Sequence, residues 1–419
     1  MSKTFIADKE TLDKCYAILS EQGEYGFIEH YSTLSPSARI EYIGINKNYT
    51  PLTVNKSTGE ANYGSWGDFR FLQANKPYMV KSDGTPDYML DENDYTKRED
   101  GTASDVANVD YDGGAFSWAQ KIYKYEQSIG DGRIVKFSFE KKDGFEPVGF
   151  IDPDGNELEG IWLPMFYGSI VNEKMKSISG VQPCYNNTTA QEKTAIDAVG
   201  SRAKFFGGPI INTLTDLLIM FAKTTNLQEA YGYGNSSGYD ASLTPTMGVK
   251  QNAVVGGGQF YGTSDGKSLN KILHSIVLGT CQQWMRDPYL LLVNGRYKVS
   301  KNYTYDLTGD TYADTGITLP KILKDDGSEN TGTFYPHKYS VVQGYGAVPV
   351  YPYKGSTLMG GCDVLYQKTT TTAVALRFGN CGYGSMAGLR ALYLSGSAGV
   401  ASWNYGAAAL LLPPASVAV

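Results

Sequence analysis

The stretch ALRFGNCGYGSMAGLRALYLSGSAGVASWNYGAAALLLPP, from Ala375 to Pro414, decides how the rest of this chain is read. Small spacers (Gly379, Gly382, Gly384, Ala387, Gly388) separate prominent side chains: Arg377, Cys381, Tyr383, Met386, Arg390 and Tyr393. Glycine and alanine let the backbone turn sharply and approach other groups closely. Tyrosine, serine, glycine and asparagine make adaptable binding surfaces, with large contact area at low entropy cost. A Gly-rich β core near a terminus fits the same composition, and composition alone leaves both readings open.

Outward from this segment, the 419-residue chain keeps the same character, and its length suits two or three domains. Glycine (48) and tyrosine (32) are abundant, while charged residues make up only 19%, so a β and loop protein with many turns is expected. A net charge of −6 argues against nucleic acid as a partner, because phosphate binding needs a basic patch. The longest strongly apolar stretch, Leu217 to Ala222, is too short to span a bilayer, so no membrane insertion is expected. The start, MSKTFIADKETLD, has no apolar segment of the signal-peptide kind. Five scattered cysteines without a CxxC pair suggest reduced thiols made in a cytosol, not a zinc site. Three histidines are few for general-base or metal chemistry.

Asp8 to Gln22 reads as an amphipathic helix with Leu12, Cys15, Tyr16 and Leu19 on one face. It suits either packing on the first domain or assembly with a partner. Short strands are expected at Ile40–Gly44, Phe69–Leu72 and Pro77–Lys81, joined by turns such as Thr58-Gly59 and Asp83-Gly84. The polar stretch Asp91–Asp105 reads as a surface loop or junction. Strands resume at Ser117–Gln127, at the cleanly alternating Arg133–Glu140 and at the aromatic Gly160–Gly168. Helices are expected at Thr189–Phe205 and Pro209–Thr224, the second with a core stripe of Leu214, Leu217, Leu218 and Phe221. Tyr231–Gly262 reads as loop, and strands return at Tyr289–Val299 around an Asn294-Gly295 turn.

The familiar chemical motifs are missing. Gly256-Gly257-Gly258 with Gly262 lacks the strand and helix of a dinucleotide site. The run from Asp152 to Asn156 fits a hairpin turn better than a calcium loop. No cofactor and no metal is expected.

The C-terminal segment resembles the variable end of the C-type-lectin-fold proteins linked to diversity-generating retroelements and their phage relatives. That family ends in a pattern like LRGGxWxxGxxAGxF followed by NWNxGARL. Leu376-Arg377-Phe378-Gly379, Gly384, Ala387-Gly388-Leu389 and Ser402-Trp403-Asn404-Tyr405-Gly406-Ala407-Ala408 stand at matching positions. Phe378 replaces a glycine, Cys381 a tryptophan and Ser402 an asparagine, and an alanine run replaces the final Arg-Leu. Upstream, Ile40 to Asp110 is similar to structural proteins of tailed gut phages, including crAss-like phages. Ser177 to Cys184, the helix around Leu214 to Phe221 and the run Leu278 to Tyr297 look like lectin-fold landmarks of the same proteins.

The resemblance implies a β-rich α+β architecture: an N-terminal helix and attachment segment (1–30), a small β-rich domain (31–111), and a C-type-lectin-like domain (112–419) with two central helices and a recognition face at 375–408. It implies a virion surface protein, a fibre, spike or tail component, made in the bacterial host cytoplasm. Its partners would be other virion proteins through the N-terminal region, further copies of itself (a trimer favoured), and a host-surface glycan or protein. The face would comprise Asn380, Cys381, Tyr383, Ser385, Met386, Arg390, Tyr393, Ser395, Ser397, Trp403 and Tyr405, with Arg377, Gly379 and Gly388 as scaffold. The alternative is a head-fibre, collar or tail component whose lectin-like fold only makes subunit contacts. The formylglycine-generating enzymes share the fold but need a pair of active cysteines. Here Cys362 and Cys381 are the pair to consider, and an enzyme is not expected.

Overall fold

The alternation at Arg133–Glu140 produces a strand. In the computed structural model, which describes residues 23–55, 60–233, 236, 254–255, 259–260, 272–275 and 283–415, Gly132–Ser138 is extended with Val135 and Phe137 fully buried. It lies inside a four-stranded antiparallel sheet ordered Ile40–Gly44, Tyr25–His30, Gly132–Ser138, Tyr123–Ile129. A second sheet runs Ala203–Phe205, Ala409–Leu411, Gly160–Pro164, Gly113–Gln120, Pro77–Lys81, Pro86–Asp91, Asp94–Arg98. A third runs Ala313–Thr318, Arg296–Val299, Trp284–Val293, Thr372–Arg377, Leu392–Leu394, Leu365–Gln367. Tyr405–Gly406 adds to this sheet, parallel to the start of Trp284–Val293. The chain is a β-rich α+β protein with its two longest described helices, Thr189–Asp197 and Pro209–Ala222, in mid-sequence.

The helix Pro209–Ala222 is buried on every side, not along one stripe: Leu214, Leu217, Leu218 and Phe221 are interior, and so are its other residues up to Ala222. Its last carbonyls, which lack partners within the helix, are satisfied from outside. The Tyr42 hydroxyl donates to Met220 (2.6 Å), the Tyr231 hydroxyl to Leu218 (2.8 Å), and the Leu52 N–H to Phe221 (2.8 Å). Beside it, Trp66 is fully buried with its ring edge-on to Tyr42, Tyr49, Phe69 and Phe221.

Several expectations are corrected. Phe69–Leu72 is not a strand; the chain turns helically at Arg70–Ala74, which buries Phe69 and Phe71. Asp91–Asp105 is not all loop, since Asp94–Arg98 pairs back on Pro86–Asp91 as a hairpin. Ser117–Gln127 is two strands, and the break at Lys121-Ile122 sends the chain from the second sheet to the first. The first central helix ends at Asp197, and after Gly200 the chain re-enters a sheet as Ala203–Phe205. The boundaries expected after residues 30 and 111 fall within sheets. Tyr25–His30 pairs with Gly132–Ser138, and Pro77–Lys81 with Gly113–Gln120, so strand pairing crosses both boundaries, and the one sheet wholly within residues 31–111 among the described residues is the two-stranded Thr53–Val54 with Ala61–Asn62. The helix expected at Asp8–Gln22, the Thr58-Gly59 turn and most of the Tyr231–Gly262 loop lie outside the described residues.

The first sheet carries charges into the interior. Glu29 is fully buried and accepts from Arg39 (2.8 Å), Arg133 (2.8 Å) and, through both oxygens, Arg390 (2.9 and 2.8 Å). Arg133 also donates to Glu126 and to both oxygens of Asp216, and Lys124 bridges Asp216 and Glu126. Burial alone would push the Glu29 carboxyl up, but Arg390, Arg133 and Arg39 together hold it well below the usual carboxylate range. A carboxylate depressed in this way stabilises the fold at every pH above its unfolded value, and that contribution is lost only as strong acid protonates the folded form. Glu29→Gln leaves three buried guanidinium groups short of one negative charge. It should cost about 3–5 kcal/mol, read as a lower urea midpoint at neutral pH; an unchanged midpoint would show that the network does not hold the fold.

Candidate functional site

The third sheet has two unlike faces. Successive side chains on a strand point to opposite sides, and Leu392-Tyr393-Leu394 alternates as buried, half-buried, buried. Leu392 and Leu394 enter a core with Leu290, Leu292, Leu365 and Ala375. Tyr393 faces the other way. The strand Leu365–Gln367 pairs parallel to it in a register that sets Tyr366 directly beside Tyr393, and their rings lie 5.5 Å apart. Trp284 and Tyr405 meet where their strands pair in parallel. The result is a cluster of rings in which Tyr393 meets Trp284, Tyr366 and Tyr405. Tyr383 is edge-on to Trp284 at 5.2 Å, Tyr393 lies 5.7 Å from Trp284, Tyr366 is 5.9 Å from Tyr383, and Tyr405 is 6.2 Å from Tyr393. Trp284 is buried, whereas Tyr366, Tyr383 and Tyr393 are half-buried, each partly open to the surface.

Tyr383 comes from the loop that follows Thr372–Arg377. Both ends of that loop are fixed by ion pairs. Arg377, buried, donates to Asp287 (2.9 Å), Asn212 (3.2 Å) and the Tyr345 hydroxyl (2.9 Å). Arg390 sits on Glu29, as above. Between them, Gly379 and Gly388 have φ of +90° and +155°. A Cβ at Gly388 would fall 2.2 Å from the Asp363 carboxylate, so only glycine fits there. Gly384 is tied by its N–H to Ser236 (2.8 Å) and by its carbonyl to Gln228 (3.1 Å).

The expected face divides in two. Tyr383, Met386, Tyr393 and Tyr405 gather in the aromatic cluster, Tyr405 at its floor and only 8% exposed. Ser385 and Ser397 are exposed, while Ser395 and Trp403 are half-buried. Three residues are corrected. Asn380 is buried and its side-chain oxygen accepts the Gly382 N–H (2.8 Å). Cys381 is fully buried. Arg390 points inward because a guanidinium this deep, 6% exposed, needs a carboxylate partner, and Glu29 supplies it. Sequence reading missed Trp284, Tyr366 and Tyr335. The alternation Leu365-Tyr366-Gln367 is the only local signal for Tyr366; its neighbour Tyr393 comes through a long-range parallel pairing.

Under the cluster, Glu192 pairs with Arg286, whose guanidinium lies 5.7 Å from the Tyr405 ring centre. Arg286 also donates to the Asn187 (2.9 Å) and Val400 (3.2 Å) carbonyls and so holds two surface loops. Burial raises the Glu192 carboxyl to about 7 despite Arg286. Burial likewise raises Asp363 to about 8, partly opposed by the Arg390 backbone N–H that it accepts at 2.7 Å. The Tyr383 phenol is raised by burial and by the Tyr366 phenol beside it. Burial pushes the Cys362 thiol up to about 12, so it is protonated and neither a nucleophile nor a thiolate ligand at neutral pH.

No protein-family model matches the chain, and no curated protein matches its sequence.

The raised carboxyls have a consequence for stability. Asp363 keeps its proton in the folded chain up to about pH 8 but loses it near pH 4 when unfolded. Between these values the folded state binds more protons, so stability falls as pH rises and levels off beyond. Asp363→Asn should flatten that fall; Glu192, raised to about 7, keeps its own share, and His337, lowered by burial, acts in the opposite sense. Thermal unfolding from pH 5 to 9 checks this, and an unchanged slope in the variant would contradict it.

Proposed function

We propose that this chain is a virion surface protein of a tailed phage, displaying a C-type-lectin-like domain that binds a host-surface glycan or protein without covalent chemistry. The observation that carries the reading is the rank of half-buried tyrosines Tyr366, Tyr383 and Tyr393 beside the buried Trp284, with exposed Ser385 and Ser397 in the same C-terminal segment as Tyr383 and Tyr393. Such rings present rigid area for stacking on sugar or protein, and their hydroxyls meet polar groups around it. Many copies on one particle would turn weak single sites into firm attachment. A trimer, attached through the N-terminal region, follows from the class of protein.

The backbone supports the resemblance at one unusual point. Phe378 stands where the family pattern has glycine, and it has φ of +79°, a conformation that favours glycine. Gly379, which follows, also has positive φ, and a Cβ there would lie 2.6 Å from Ala387. The chain thus has a glycine-type backbone conformation where the family pattern has glycine, with a phenylalanine in it.

A second reading, a head-fibre, collar or tail component that only makes subunit contacts, draws on a different observation. Tyr351 (57%), Leu358 (67%) and Met359 (41%) are strongly exposed. The departures Phe378 and Cys381 do not add to this, since both are fully buried and give the surface no apolar character.

Phage carrying Tyr383→Ala with Tyr393→Ala should assemble normally and lose adsorption at least about tenfold, as expected when aromatic anchors at the centre of an interface are removed. Ser385→Trp, on an exposed position, should have the same effect with no cost to the core. Normal adsorption by both variants would rule out this face and leave the subunit-contact reading.

A further inference from the structure

The buried ion network encloses a feature that the proposed binding face does not use. Arg133, Arg377 and Arg390 converge on a small cavity of about 30 Å³, whose other polar walls are Asn212, Thr215, Asp216 and Tyr339. That volume suits a guest the size of one water or one monatomic ion. Each guanidinium has five N–H donors. Arg390 gives two to Glu29, and Arg377 gives three, to Asp287, Asn212 and Tyr345, so both retain donors.

The charges around the cavity do not balance. The cations are Arg39, Arg133, Arg377, Arg390 and Lys124; the carboxylates paired with them are Glu29, Glu126, Asp216 and Asp287. Among the described residues, five positive groups face four negative ones, and their side chains are at most 6% exposed. Among the described residues, Asp363 accepts the backbone N–H of Arg390 and also feels the Arg390 guanidinium charge, but burial outweighs both and keeps it protonated at neutral pH. His337, beside Arg39, is lowered by burial and by Arg39, so it adds no charge. A surplus charge sealed from water is strongly destabilising unless it is paired.

We propose that the cavity between Arg133, Arg377 and Arg390 binds a small monovalent anion, chloride or another halide, as the missing negative charge of the core. Spare guanidinium N–H groups hold it, and the small volume excludes phosphate, sulfate and organic anions. The site has no part in recognition, so this inference stands apart from the proposed function. The anion would fix the C-terminal loop by neutralising the two arginines that flank it.

The test uses the purified full chain at pH 7 and constant ionic strength, in sodium chloride, sodium bromide or sodium gluconate, whose anion is too large to enter. Both halides should raise the Tm saturably by about 2 °C or more over gluconate. Crystals in bromide should show its anomalous signal in the cavity, within hydrogen-bond distance of Arg377 or Arg390. Equal Tm values in the three salts, or bromide only at the surface and water in the cavity, would overturn the proposal. Asp363→Asn supplies the internal control, and its halide response should match that of the parent chain. If a halide response emerges only in that variant, an ionised Asp363 is the counter-charge and the proposal fails.

Discussion

Removing a carboxylate from water costs several kcal/mol unless charge and hydrogen bonds replace the lost solvent. Glu29 meets that cost with three arginines from separate parts of the chain. Arg39 precedes the neighbouring strand, Arg133 lies on the strand paired with its own, and Arg390 lies 361 residues away in sequence. Asp216 joins the same network from the fully buried helix Pro209–Ala222. The first sheet, the central helix and the C-terminal loop are therefore positioned by one set of ion pairs. Breaking any member leaves a buried charge without its partner, so the network acts as a constraint on geometry more than as a sum of attractions.

That constraint reaches the surface through the loop from Phe378 to Leu389. Arg377 fixes one end on Asp287 and Arg390 fixes the other on Glu29. Between the two, Tyr383 is set against Trp284, and the parallel strands bring Tyr366 and Tyr393 beside it. A surface held this way has little freedom left to lose on binding, which favours affinity for a rigid partner. Tyrosine also loses few rotamers when it is covered.

Much of the architecture was legible in the sequence where burial has a simple period. Arg133–Glu140 alternates, and Gly132–Ser138 within that run is a strand; Pro209 opens a helix, and the helix forms. The elements that were misread are those decided by distant partners. Asp94–Arg98 is polar enough to read as loop, yet the backbone of the adjacent strand recruits it. Phe69 and Phe71 read as strand, but a helical turn buries both and sets Phe69 against Trp66 and Phe221. The candidate site was half legible. Tyr383 and Tyr393 stand out in the composition, because aromatic residues between glycines mark a surface worth inspecting, and Tyr405 came with the resemblance. The inward position of Arg390 was not legible, since nothing local shows that an arginine will find a carboxylate 361 residues away. Tyr366 escaped for the same reason: its neighbours come from a parallel pairing that no short pattern encodes.

The account holds that the buried network presents the tyrosines to the outside of an assembled particle. Cryo-electron microscopy of purified virions tests this most directly, by locating the chain and the direction of Tyr383 and Tyr393. The account predicts both rings at the distal, solvent-facing tip of a projecting oligomer. Finding them buried against a neighbouring subunit would contradict it and make the aromatic cluster an assembly contact.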